Sequence, residues 1–166
     1  MKNKQKKLSA GFTLVELIIY CGLFLIFLTM LTSIFISTLE VHSQAYSRSI
    51  VQQDGQFIIQ RFIYDINRAD SVTTPVNLGE TANSLVLDID GETYSYVLNS
   101  GQLELTNNDG TYVINFDQTQ ISNLSFTKLG NPSGISTVQV DFKVNSKIPD
   151  VSGVKEQDFH TTVGLR

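Results

Sequence analysis

The chain has 166 residues, 17% of them charged, with a formal net charge of −4, which suits one modest domain together with an anchor. Beyond residue 70 there are five basic residues against 11 acidic ones; nucleic-acid binding rests on neutralising phosphates with Lys and Arg, so this balance argues against direct binding to nucleic acid. Cys21 is the single cysteine, so the chain has no internal disulfide even in a compartment that permits one.

Residues 1–11 read as a hydrophilic leader that carries Lys2, Lys4, Lys6 and Lys7 and no acid. Phe12 to Leu39 follow, 28 residues with Glu16 as the one formal charge. About 20 apolar residues suffice to cross a bilayer as a helix, so this run is long enough to span. The basic flank keeps the short N-terminus in the cytoplasm and sends everything after Leu39 outside. A secretory signal peptide has a core of only about 7–15 apolar residues followed by small residues at its cleavage site. Here the run is longer, and the small residues Ser9, Ala10 and Gly11 precede it. Cys21 reads as a small apolar packing residue. Gly22 reads equally as a glycine tolerated in a membrane helix and as a mark of close approach by a neighbouring helix.

Glu16 does not fit an ordinary anchor, because an ionisable group inside a spanning helix is costly and points to function. The surrounding residues are Lys-Leu-Ser-Ala-Gly11 and then Phe12-Thr13-Leu14-Val15-Glu16. This stretch resembles the N-terminus of the type IV pilins and the type II secretion pseudopilins: a short basic leader, a glycine, then Phe-Thr-Leu-x-Glu opening a long apolar helix. The resemblance covers about the first 30 residues. It implies that a prepilin peptidase cuts between Gly11 and Phe12 and N-methylates the new amine of Phe12. The mature chain would then keep eight basic and 16 acidic residues, a formal charge of −8. The resemblance also implies that in a filament the Glu16 carboxylate of one subunit meets the Phe12 amine of another. Both charges would be desolvated, so the pair adds little net stability, whereas removing one partner leaves an uncompensated buried charge at a cost of about 3–5 kcal/mol. The pair would set axial register.

After Leu39 the pattern predicts that the helix continues, first through a polar, serine-rich stretch from Glu40 to Ser49. Ile59, Phe62, Ile63 and Ile66 then recur at i, i+3, i+4 and i+7, and Ile58, Phe62 and Ile66 add an i+4 row. Asp54, Arg61, Asp65 and Arg68 are assigned to the opposite, solvated face, with Arg61–Asp65 and Asp65–Arg68 as surface pairs. Gly55 weakens the helix locally by about 1 kcal/mol relative to Ala. One helix from 12 to about 69 results, apolar all round in its first half and amphipathic in its second. Residues Arg61 to Val72 also resemble, over about a dozen positions, the end of the long helix in J-type minor pseudopilins and W-type minor pilins. That implies a minor subunit.

From Ser71 turn signals replace the helical period. Thr73-Thr74-Pro75 and Asn77 to Asn83 read as loops. Alternation predicts strands over Ser84 to Asp90, Glu92 to Leu98, Gln102 to Thr106, Thr111 to Phe116, Ile121 to Leu129, Ile135 to Val144 and Phe159 to Leu165. Asp90-Gly91, Asn99-Ser100-Gly101 and Asn107 to Gly110 are turns between them. Gly130 to Gly134 and a polar stretch from 145 to 158 with Pro149 are loops. The expected fold class is α+β: a long N-terminal helix, membrane-spanning in its first half and amphipathic in its second, packed on a C-terminal antiparallel β-sheet of six or seven strands in one meander. The corresponding segments are a leader at 1–11, a transmembrane half at 12–39, an amphipathic half at 40–70 and an extracytoplasmic β domain at 71–166.

No catalytic constellation appears, and no cofactor is implied. His42 and His160 stand apart from each other without cysteine partners. No glycine-rich phosphate loop with a lysine is present, and Gly130-Asn131-Pro132-Ser133-Gly134 lacks the spacing of a nucleophile elbow. Asp88, Asp90 and Glu92, and Asn107, Asn108 and Asp109, offer oxygen ligands such as Ca²⁺ takes. Tight turns demand the same residue types, and no metal is assigned.

The expectation for function is a structural subunit, a minor one, of a type IV pilus, competence pilus or type II secretion pseudopilus. Gly11 and Phe12 are the processing residues and Glu16 the assembly residue. The partners implied are prepilin peptidase, other pilin or pseudopilin subunits, the inner-membrane assembly platform, and membrane lipid before assembly. The protein would sit in the cytoplasmic (inner) membrane with a single pass and its C-terminal domain outside, then enter the filament. The competing expectation is an uncleaved, membrane-tethered binding module with an extracytoplasmic β domain.

Overall fold

The computed structural model describes residues 11–131, 134–148, 153 and 155–166. The leader before Gly11 with its four lysines, and Pro132 and Pro149 of the two expected loops, lie outside the described residues. The chain divides into two compact units, Met1–Val41 and His42–Arg166.

One helix, α1, runs over Leu14–Arg68, close to the limits expected from the apolar pattern. Glu16 in its first turn and Arg68 in its last both complement the helix dipole. Among the described residues nine strands follow: β1 Ser71–Thr74, β2 Thr81–Ala82, β3 Ser84–Ile89, β4 Glu92–Asn99, β5 Gln102–Asn107, β6 Gly110–Val113, β7 Thr119–Leu129, β8 Thr137–Ser146 and β9 Glu156–Gly164. They form two antiparallel sheets, a five-stranded one in the order β1-β3-β4-β5-β6 and a four-stranded one in the order β2-β7-β8-β9. The fold is therefore α+β, one long helix packed against two sheets, and the single six- or seven-stranded meander is corrected to two.

The hairpins arise where the local chemistry demands them. Asp90 and Gly91 have φ of 55° and 79°, and Ser100 and Gly101 have 50° and 83°. Two successive left-handed residues make the type I′ turn whose twist matches that of the flanking strands. The segments read as loops around Pro75 contain β1 and β2. β1 pairs with β3, and β2 contributes two residues to the second sheet through Thr81↔Thr127 and Ala82↔Phe126. A two-residue strand cannot display alternation, and its partner lies 46 residues away, so only tertiary pairing defines it. For the same reason the polar stretch 145–158 is shorter as a loop than expected: β8 continues to Ser146 and β9 begins at Glu156.

One core joins the second half of α1 to both sheets. Ile58, Phe62 and Ile66 are fully buried, as their i+4 row requires. The Phe62 ring lies 4.9 Å from Tyr96 in the first sheet, and 5.5 Å and 6.2 Å from Phe126 and Phe142 in the second. It is the side chain around which the two sheets meet. Leu85, Leu87, Ile89, Val138, Val140 and Val144 alternate inward from the strands to complete the core.

Two assignments to a solvated helix face are overturned. Asp54 and Asp65 are both 0% exposed. Asp54 stands one i+4 step before Ile58 and Asp65 stands beside Ile66, so both fall within the stripe that the sheets cover. Each is met by hydrogen-bond donors: Thr119 and the Phe116 amide reach Asp54, and Tyr96 and Arg61 reach Asp65. Arg61–Asp65 pairs as expected at 2.7 Å, with the carboxylate buried rather than at the surface. Arg68 does not pair with Asp65; it reaches Asp90 at 3.4 Å and the Tyr64 hydroxyl at 3.2 Å.

Candidate functional site

The candidate site is the start of α1 and the apolar surface that follows it. Gly11 and Phe12 precede the first helical residue, and both are exposed. A Cβ added at Gly11 would meet nothing within 4 Å. The position before the bond expected to be cut therefore has room for a side chain among the described residues. Phe12 is 74% exposed, and its ring meets the edge of Tyr20 at 6.1 Å between centroids.

Thr13 is the residue that starts the helix. Its hydroxyl accepts the Glu16 amide at 3.3 Å, and its carbonyl accepts the Leu17 amide at 3.1 Å. An N-cap hydroxyl satisfies one of the amides that a helix leaves orphaned at its beginning. The pattern Thr13-x-x-Glu16 is the sequence signature of such a start, and it was open to reading from the sequence without being used. Glu16 is half-buried, whereas its neighbours in the helix are exposed. The capping bond uses the backbone amide of Glu16, which any residue but proline supplies, so it does not account for the carboxylate.

From Phe12 to Leu39 the large apolar side chains are 40–75% exposed. Contiguous apolar surface of this extent does not stay in water in a monomer. Among the described residues one helix is long and apolar enough to cross a membrane. Its polar side chains suit an apolar surrounding. The hydroxyls of Thr29, Thr32, Ser33 and Thr38 donate back to the carbonyls of Ile26, Leu28, Thr29 and Ile34 at 2.7–3.0 Å, which leaves those donors satisfied without water. Cys21 is exposed on the same surface, and a Cβ at Gly22 would meet nothing within 4 Å.

The polar groups of the β domain are engaged in structure. Asp88 Oδ1 accepts the Gly91 amide at 3.1 Å, Asp70 Oδ2 accepts the Asp90 amide at 2.9 Å, and Asn107 Oδ1 accepts the Asp109 amide at 3.1 Å. These acids and amides hold the turns that the sequence places there. Among the described residues no cluster of three His, Cys, Asp or Glu is arranged to hold a metal ion. His42 is exposed on α1. His160 lies across from Asp141 with Nδ1 at 2.5 Å from Oδ1. Burial pushes the Asp141 carboxyl up, but hydrogen bonds from Gln139 and His160 and the charge of the imidazole outweigh it and hold it below the ordinary carboxylate value. Burial, with the Asp65 carboxylate beside it, drives the Tyr96 phenol far above its usual range, so it remains a donor. No family model, curated protein or solved structure matches the chain.

Proposed function

We propose that this chain is a structural subunit, a minor one, of a type IV pilus, a competence pilus or a type II secretion pseudopilus. Prepilin peptidase cuts it between Gly11 and Phe12 and methylates the amine of Phe12. The subunit waits in the cytoplasmic membrane with its β domain outside, and the assembly platform then draws it into a filament through residues 12–39. The observation that carries this reading is the run Gly11-Phe12-Thr13-Leu14-Val15-Glu16 at the head of an outward-facing apolar helix. Such a helix needs lipid before assembly and other helices afterwards, and a filament of like subunits supplies both in turn. The rival reading is an uncleaved anchor that displays a binding module; the capping bond at Thr13 fits both, because it uses the Glu16 backbone amide and not its carboxylate.

Cleavage separates the two readings. The full chain, expressed in a host with a prepilin peptidase, is measured by intact mass and N-terminal sequencing. The expected product begins at N-methylated Phe12 and disappears when Gly11 is replaced by a bulky residue. Because a Cβ at position 11 meets nothing within 4 Å among the described residues, loss of cleavage in that variant reports on the peptidase and not on folding. A chain that still begins at Met1 or Lys2 overturns the proposal in favour of the tethered module.

A further inference from the structure

The second unit holds a buried acid whose two contacts are both with uncharged groups. Asp54 is 0% exposed, and both of its oxygens face the turn that joins the two sheets. Oδ1 accepts the Phe116 amide at 3.2 Å, and Oδ2 meets the Thr119 hydroxyl. The same hydroxyl lies 2.9 Å from the Phe116 carbonyl. A hydroxyl has one proton to give. If Thr119 gives it to the Phe116 carbonyl, the contact between Thr119 and Asp54 needs a proton from Asp54. The neutral acid therefore completes a ring: the Phe116 amide donates to Asp54, Asp54 to the Thr119 oxygen, and the Thr119 hydroxyl to the Phe116 carbonyl. The ionised acid leaves two acceptors competing for one hydroxyl proton.

The charged groups on the surrounding elements do not relieve Asp54. On α1, Arg48 is exposed and Arg61 is bound to Asp65. In the turn region, Asp117 is exposed, and Lys147 is bound to the Asp117 carbonyl. Lys128 of β7 is bound to the carbonyls of Val72 and Val76. On β9, Glu156 and Asp158 are bound to Lys143 of β8, and His160 to Asp141. None of these groups forms an ion pair with Asp54. An ionised carboxylate buried without a counter-ion is costly to desolvate, and burial outweighs the two hydrogen bonds in setting the protonation of Asp54, which is pushed above its ordinary value of 3.8.

We propose that Asp54 is a proton-operated clasp: as the neutral acid it closes this ring and seats residues 114–118 on α1, and on losing its proton it lets the turn loosen. The clasp controls an exposed surface. Phe116 stacks on Phe57 of α1 at 6.0 Å between centroids, with the two rings 40% and 48% exposed. Two residues further along the turn, Gln118 accepts the Tyr46 hydroxyl at 3.4 Å. The Asn115 side chain keeps the turn itself intact, bonding the Leu103 amide and the carbonyls of Phe116 and Thr119 at 2.8–3.2 Å. With Asn115 tied to Leu103 of β5, loosening acts on the side of the turn that faces α1, and the Phe57–Phe116 pair separates.

The sign follows from linkage. The acid is raised in the closed form, so closure is fully favoured below the ordinary value of 3.8. It weakens as the pH rises from there to the titration midpoint of the closed form, about tenfold per pH unit, and is constant above that. The test uses the full chain in detergent micelles, with aspartates labelled at the carboxyl carbon, titrated by NMR. Amide exchange at Phe116 is followed in parallel and corrected for its intrinsic pH dependence. The expected result is an Asp54 midpoint above 3.8 together with a protection factor at Phe116 that falls across the same interval. Asp54→Asn, whose amide mimics the neutral acid, should show constant protection, and Thr119→Ser should keep the wild-type response. An Asp54 midpoint at or below 3.8, or protection that does not change through the titration, overturns the proposal, and the wild-type titration decides it even where a variant fails to fold. The clasp lies within the His42–Arg166 unit, so neither outcome bears on cleavage at Gly11.

Discussion

Gly55→Ala tests how tightly the helix is seated on the second sheet. By helix propensity alone the change should stabilise, by about 1 kcal/mol at an interior position. The packing predicts the opposite sign. A Cβ on residue 55 would lie 2.1–2.4 Å from three atoms of the Phe159 ring, whereas carbon atoms in contact prefer about 3.5–4.0 Å. The ring cannot simply swing away, because it is 6% exposed and stacks on Phe142 at 5.4 Å with only 14° between the planes. α1 or β9 must therefore move by about 1 Å or more to reach ordinary contact. Overpacking of a well-filled core costs about 1–3 kcal/mol, occasionally more, and this contact is at the severe end. Net destabilisation of about 2 kcal/mol remains after the propensity gain, which lowers Tm by roughly 5–10 °C for a domain of this size. Thermal unfolding of the full chain in micelles, followed by circular dichroism, measures it. A second change, Phe159→Leu added to Gly55→Ala, should recover part of the loss, since residues in contact are energetically coupled. Stability of Gly55→Ala equal to or above wild type would refute the reasoning.

Three further outcomes follow from named contacts. Tyr96→Phe removes a donor from the buried Asp65 carboxylate and should cost about 2 kcal/mol in the same unfolding measurement; a loss below about 0.5 kcal/mol would mean that Arg61 alone satisfies the acid. Arg68→Ala breaks a long contact with the exposed Asp90 and a bond to the Tyr64 hydroxyl, and should leave the unfolding midpoint nearly unchanged; a clear loss would show that its stacking over Tyr64, at 5.1 Å, matters more than its charge. Glu16→Ala leaves the Thr13 hydroxyl bonded to the amide at position 16, so cleavage should persist while incorporation into filaments drops; undiminished incorporation, scored by fractionating sheared filaments, would confine Glu16 to its capping position.

What the sequence made legible was whatever local spacing encodes. The i+4 row of Ile58, Phe62 and Ile66 pointed to the buried face of α1, and Asp90-Gly91 marked a turn whose two left-handed residues admit little else. Leu85, Leu87 and Ile89 alternated into the core as read. The start of α1 was legible too, and Thr13 could have been assigned as its cap from the same few residues. The partition into two sheets was not, because it depends on β2, two residues long, choosing β7 over its sequence neighbours, and on the turn at 114–118 leaving one sheet for the other. Gly55 read as a weak point in a helix because the reason for it, the Phe159 ring, lies far along the chain in the last strand.

The buried acids show where charge misleads. Asp54 and Asp65 are 11 residues apart in the sequence, about three helical turns, and so share one face. Extending the row of Ile58, Phe62 and Ile66 one step back lands on Asp54. Periodicity alone therefore placed Asp54 inside, and its charge moved it to the surface in the reading. The structure resolves the conflict differently for each acid. Asp65 takes Arg61 as a cation and Tyr96 as a donor. Asp54 takes the Phe116 amide as a donor and shares a proton with the Thr119 hydroxyl, which is tolerable only while its proton stays on or while the helix meets the cost of the charge from contacts elsewhere. Each acid tethers α1 to a different sheet, Asp65 to β4 of the first and Asp54 to β7 of the second. A polar residue inside an apolar stripe is thus a marker of where the helix is held, and the donors it meets on the sheets specify the rotation of α1 that apolar burial by itself would leave loosely defined.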